Sequence, residues 1–139
     1  MAISRRRALL TAAASLLAGV FPWRRVQAQQ AGAPFHPTPR KGITAAKVLT
    51  AAELTKSPGL IALFDGIREI PHIVDGIGCH CGCALLVETH YSLLSCYETE
   101  NAMAKICPIC QGEGRVAVRL AKAGKTLDEI REAIDAQFG

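Results

Sequence analysis

Six cysteines lie between Cys79 and Cys110, and their spacing constrains the fold more than any other feature of the chain. The stretch GCHCGCALLVETHYSLLSC, Gly78 to Cys96, holds four cysteines and two histidines in nineteen residues, and CPIC follows at Cys107 to Cys110. Thiols this dense cross-link a small core, hold a metal or cluster, or exchange electrons. Cys79, Cys81 and Cys83 are two apart. In a strand they would share one face, whereas in a turn, which Gly82 permits, two or three sulfurs converge on one point. Pro108 suits the first turn of a helix, which would bring Cys107 and Cys110 together and lower their thiol pKa through the helix dipole.

The rest of the chain leaves little material for a core. Arg5, Arg6 and Arg7 precede an apolar run from Ala8 to Phe21, and Val26-Gln27-Ala28 offers a small-residue exit. This is the layout of a cleavable signal peptide over 1–28. Ser4-Arg5-Arg6 before Ala8-Leu9-Leu10 resembles a twin-arginine export signal, which implies a periplasmic or otherwise exported protein carried across the membrane already folded. The apolar run is shorter than the ~20 residues a bilayer-spanning helix needs, so no permanent membrane span is expected. The chain carries 16 Lys+Arg and 12 Asp+Glu; the leader takes five of the arginines and no acid, which leaves eleven bases against twelve acids. No basic patch remains to recruit nucleic acid, and partners are restricted to an unidentified protein.

Residues 29–43, rich in Pro, Gly and Gln, are expected to form a flexible linker with His36 solvated. Residues 44–139 are then a single helical Cys-rich domain, small enough that staples matter to its stability. TAAKVLTAAELTKS, 44–57, is Ala-rich and predicts a helix. Ser57-Pro58 predicts the start of a second, with Leu60, Leu63, Phe64 and Ile67 on one face, ended or kinked by Pro71. Val116, Leu120 and Ala123 predict a third, closed by Gly124. Thr126 and Glu129 form a capping box, after which Leu127, Ile130, Ile134 and Phe138 make one buried stripe. Almost nothing alternates with period two, so the expected fold is all-α, with a Cys-rich turn inside a small helical domain.

An even set of six cysteines in so small an exported domain is compatible with three disulfides. The crowding of Cys79, Cys81 and Cys83 argues against it, since each would need its own partner at ~5–6 Å between Cα atoms. Convergence on an ion is easier. Four thiolates, or three with a histidine, suit zinc; short C-x-C units suit copper(I); an iron–sulfur cluster is a less favoured third choice. The candidate metal ligands are Cys79, Cys81, Cys83, His90, Cys96, Cys107 and Cys110. His90 and Cys96 are six apart, which on a helix separates them by roughly 240°, so the chain must bend between them if both serve one site. His80 is expected to face solvent and His72 to be structural. Gln111 after Cys110 removes the C-x-x-C-H signature of covalent haem. No phosphate loop, G-x-S-x-G or H-E-x-x-H is present, and the carboxylates read as solvated helix faces.

The run Cys79-His-Cys81-Gly-Cys83, His90-x-Ser92-Leu93-x-x-Cys96-Tyr97, Cys107-x-x-Cys110 and Gly124-Lys125-Thr126-x-x-Glu129-Ile130-Arg131 resembles the bacterial PCYCGC-motif proteins over roughly 68–138. Gly78 stands at the motif's proline and His80 at its tyrosine. The resemblance implies an exported or lipid-anchored protein with a metal- or redox-related site. Cys107-x-x-Cys110-Gln111 followed by two helices is also similar to the thiol-bearing subunit of cytochrome c maturation, which implies a dithiol pair. Cys107-Pro-Ile-Cys110-Gln-Gly112-Glu-Gly114 is similar to the zinc unit of J-domain chaperones. Three functions follow as expectations. They are a non-enzymatic envelope metal-binding protein, a thiol–disulfide oxidoreductase using Cys107 and Cys110, and a disulfide-stapled interaction module.

Overall fold

The computed structural model describes residues 36–139; the leader and residues 29–35 of the linker lie outside the described residues. The first helix is entered as the sequence predicts. Ser57 precedes Pro58, a 3-10 turn runs Pro58–Leu60, and α1 follows over Ile61–Glu69. The Ser57 side chain makes no capping bond, so the start depends on proline's fixed φ. Leu63, Phe64, Gly66 and Ile67 are the buried face of α1. Pro71, which lacks an N–H, ends α1 and opens the short α2 (Pro71–Val74).

Gly82 takes φ +77, and the chain turns there into α3 (Cys83–Leu86). A 3-10 segment, Leu93–Tyr97, is buried throughout, and a second one spans Met103–Lys105. Two longer helices finish the chain, α4 (Pro108–Lys122) and α5 (Leu127–Phe138). Gly124, at φ +75, reverses the chain between them. Thr126 accepts from the Glu129 amide while the Glu129 carboxylate accepts from the Thr126 amide, so both halves of the capping box are made.

Helix α4 packs on α5 and on α1. Phe64, Ile67, Leu93, Leu94, Tyr97, Ala117, Ile130 and Ile134 are all at 0% exposure in one apolar cluster, and Cys79, Cys96 and Cys110 belong to that cluster too. The Phe64 and Tyr97 rings meet edge to face, with centroids 4.9 Å apart. The all-α expectation holds among the described residues, where the only β feature is an isolated antiparallel bridge, Val48 to Glu98.

Two expectations are corrected. Residues 44–57 form turns, not a helix. Here tertiary contacts override alanine's propensity. Arg68 Nη1 donates to the carbonyls of Ala45 (3.2 Å) and Val48 (2.7 Å), and Leu49 N donates to the Tyr97 carbonyl. These bonds use backbone groups that a helix would need for itself. The expected linker also ends earlier than residue 43. His36 Nε2 lies 3.0 Å from an Asp135 oxygen, and His36 Nδ1 accepts from Gly78 N, so its ring is not solvated. Arg131 donates to the Pro37 and Gly76 carbonyls. Arg40 donates to Asp75 through its backbone N (2.7 Å), Nε and Nη2 (2.7 Å). Pro and Gly content marked this stretch as a spacer, but its polar groups strap it to the domain.

Asp75 is the anchor of that strap. Its side chain is fully buried, and Ser92 Oγ donates to it as well. Burial alone would raise its pKa, but the hydrogen bonds from Arg40 and Ser92 outweigh burial and hold it below the usual carboxylate value. Asp75→Asn is therefore expected to destabilise the fold by about 1–3 kcal/mol, measured by urea unfolding at pH 7. The sign of the pH effect follows from the depressed pKa. The contribution is complete above the unfolded value, about 3.9, and drains away as pH falls below it through the folded value. The variant should lose that acid-side slope.

Candidate metal centre

The CHCGC turn, the buried 3-10 segment and the start of α4 meet at one point. Cys79 and Cys81 come from the turn that Gly82 permits. Cys96 comes from Leu93–Tyr97, and Cys110 from the first turn of α4, where Pro108 occupies the first helical position and Cys107 the cap. The sulfurs of Cys79, Cys81, Cys96 and Cys110 all lie within 4.8 Å of one another. Cys79 Sγ is 3.0 Å from Cys81 Sγ, 3.6 Å from Cys110 Sγ and 3.7 Å from Cys96 Sγ. Cys110 Sγ is 3.2 Å from Cys96 Sγ and 3.6 Å from Cys81 Sγ. All six cysteines are free thiols.

The contact pattern separates the chemistries. A disulfide pairs sulfurs two by two at ~2.05 Å. Here Cys79 and Cys110 each face three others. A tetrahedral thiolate site with metal–sulfur bonds of ~2.3 Å spaces its sulfurs by about 3.8 Å. Five of the six spacings fall between 3.0 and 3.7 Å, at or below that edge, and the sixth lies within 4.8 Å, so the four cysteines are close enough to hold one metal ion.

The remaining candidates sit around this tetrad. Cys83 Sγ is 2.8 Å from Cys81 Sγ. His90 Nε2 is 3.0 Å from Cys96 Sγ. The bend that this pair requires is present: residues 90–92 are not helical, with Ser92 fully extended, before the 3-10 turn brings Cys96 round. Cys107 is half-buried at the cap of α4. His72 is exposed.

No family model, no curated protein and no solved structure matches the chain.

The thiols are crowded, and three of the tetrad are held above the ordinary thiol value. Hydrogen bonding to Cys110 is the largest influence on Cys79 and raises it, and burial adds to this. Cys96 is lowered by Cys110, but Cys79 and burial outweigh that and leave it raised. Cys110 is lowered by Cys79 and raised more by Cys96 and burial, so the expected dipole lowering at this helix start is overridden. Burial and the neighbouring Cys81 push Cys83 up to about 12. Cys81 alone moves down: burial opposes it, but hydrogen bonds from Cys83 and Cys79 favour its thiolate. Burial lowers His90 below the ordinary imidazole value, which favours the neutral ring and its lone pair. A thiolate set of this density is stable only with a cation at its centre.

A second layer holds the turn in place, and the sequence reading missed it. His80 is not solvent-facing; its side chain is 4% exposed. Its backbone N donates to Glu113 Oε1 (2.8 Å), and its Nδ1 lies 2.5 Å from the same oxygen. His80 Nε2 is 3.2 Å from Asp135 Oδ1, but off the hydrogen-bonding direction. Glu113 is 0% exposed, although the carboxylates were read as solvated faces. The signal was there: Glu113 follows Cys110 by three residues, which puts both on one helix face. Glu113 therefore fixes the residue between two sulfur donors. Glu113→Ala is expected to weaken metal binding by about ten- to a hundredfold, read by chelator competition.

Proposed function

We propose that this chain is a non-enzymatic, exported metal-binding protein of the cell envelope, with zinc or copper(I) held by Cys79, Cys81, Cys96 and Cys110. One observation carries it: four sulfurs from three chain segments converge within 4.8 Å, three of them buried, at spacings that fit one tetrahedral ion. A four-iron cluster fits less well, because its iron–sulfide core would hold the cysteine sulfurs farther apart. The leader layout at 1–28 supports export, and the order of cysteines supports kinship with the PCYCGC-motif proteins. The ion would clasp the α4 start to the preceding turn, either as a structural staple or as cargo.

The thiol–disulfide alternative draws on Cys107, half-buried at a helix N-terminus. It is the weaker of the two, because its partner Cys110 is fully buried and engaged by three other sulfurs. Elemental analysis combined with thiol titration, on full-length protein purified without reductant, separates the cases. The expected result is about one equivalent or more of zinc or copper, with thiols released by denaturation in chelator. Metal-free protein with no titratable thiol would mean a disulfide module. Metal-free protein with one readily reduced pair, lost in Cys107→Ser, would mean an oxidoreductase.

A further inference from the structure

We infer that the site takes up more than one copper(I) ion, as a polynuclear copper–thiolate cluster for which Cys83 and Cys107 supply outer ligands. This rests on the metal-binding function proposed above and extends it to the identity and number of ions.

A single tetrahedral ion uses four sulfurs and leaves three soft donors beside it. Two of the three abut different members of the tetrad. Cys83 Sγ is 2.8 Å from Cys81 Sγ, and His90 Nε2 is 3.0 Å from Cys96 Sγ, with His90 Nδ1 buried and unpartnered. Cys107 stands one helical turn before Cys110, at the cap of the same helix. Five of the six sulfurs therefore form one continuous group, and Cys107 flanks it. A thiolate that already binds one ion can bridge to a second, so Cys81 and Cys110 are placed to bridge and Cys83 and Cys107 to terminate.

Ion chemistry then selects copper(I). Zinc in thiolate sites takes four ligands per ion, so two zinc ions would need every one of the six sulfurs and both bridges. Copper(I) is soft and accepts two or three thiolates, so several ions fit within six. Charge points to more than one ion. Six buried or half-buried thiolates need cations, and among the described residues no lysine or arginine hydrogen-bonds a cysteine sulfur. Several monovalent ions would balance most of that charge. The segments that carry the outer pair are also apolar at the surface: Leu85 and Leu86 after Cys83 are 90% and 85% exposed, and Ile106 before Cys107 is 76% exposed. An apolar rim disfavours arrival of a strongly hydrated divalent ion and suits copper passed by ligand exchange. The step is balanced without an oxidant. Each copper–sulfur bond forms as a thiol loses its proton and the donor ligand leaves, and copper stays in the +1 state.

The test titrates reduced full-length protein anaerobically with copper(I) supplied as its bicinchoninate complex. Bound ions are counted by native mass spectrometry, and the red luminescence of copper(I)–thiolate clusters is followed in parallel. Wild type is expected to hold at least two coppers per chain and to luminesce. Cys83→Ser/Cys107→Ser is expected to stop at one copper, lose the luminescence and still take up one zinc. Wild type saturating at a single copper overturns the inference while leaving the metal site standing. So does a double variant that keeps the wild-type count. Should the double variant fail to bind zinc through misfolding, the single variants Cys83→Ser and Cys107→Ser decide, each expected to lower the count. Wild type that binds neither zinc nor copper overturns both the inference and the site.

Discussion

Removing the metal from the full-length protein is expected to lower its melting temperature by at least about 20 °C, and Cys96→Ala is expected to abolish that difference. The size follows from the linkage between binding and folding. A structural thiolate site contributes on the order of 10 kcal/mol of apparent binding free energy, and for a domain of this size each kcal/mol moves the midpoint by roughly 4–8 °C. The four donors are distributed so that most of this binding energy should reach the fold. Cys79 and Cys81 belong to the turn, Cys96 to the buried 3-10 segment and Cys110 to α4, so the ion ties together segments otherwise joined by packing and a few hydrogen bonds. Cys96 is the sharpest test because it is 0% exposed and its sulfur faces Cys79, Cys110 and His90. Calorimetry on loaded and chelated protein measures the difference. Asp75→Asn serves as the control: it should lower both midpoints and preserve the gap between them. A gap of a few degrees in wild type would show that the apolar core holds the fold and that the ion is a passenger.

Gly114→Ala is expected to be the most damaging single-methyl change, at about 2–3 kcal/mol, read from the urea midpoint. A Cβ on Gly114 would overlap Tyr97 Oη and fall 3.3 Å from Ile67 Cδ1. Tyr97 has nowhere to go. It is 0% exposed, its ring packs on Phe64, and its hydroxyl donates to the Cys110 carbonyl at 2.6 Å. Relief of the clash would break that bond to the Cys110 carbonyl and shift the helix turn that carries a candidate ligand. The same variant should therefore also weaken metal binding, whereas Tyr97→Phe, which removes only the hydroxyl, should cost about 1 kcal/mol.

The elements that follow local rules were legible in the sequence. Pro58, Pro71, Gly82, Gly124 and the Thr126–Glu129 box act within a few residues of themselves, and each turns or caps the chain as its chemistry dictates. The convergence of cysteines was legible too, because three thiols in five residues leave few alternatives to a turn. What escaped was set by partners distant in sequence. Residues 44–57 look helical until Arg68 and Tyr97 claim their backbone groups. His36 and Arg40 look like spacer until Asp135 and Asp75 are placed opposite them, 99 and 35 residues away. His80 looks solvated until α4 carries Glu113 beneath it. Each miss is a polar contact whose partner lies on another element.

Of the four sulfurs around the centre, Cys79, Cys96 and Cys110 are sealed from solvent and Cys81 is not. Cys81 is also the one tetrad thiol whose hydrogen bonds favour the deprotonated form. An ion in this cage would thus have a single vulnerable bond. A competing thiol would displace Cys81 first, and the other three would let go only after the incoming ligand was already attached, so release would be stepwise and have a direction. The lifetime of the bound ion would then depend less on how tightly four sulfurs grip it than on how easily one of them is replaced.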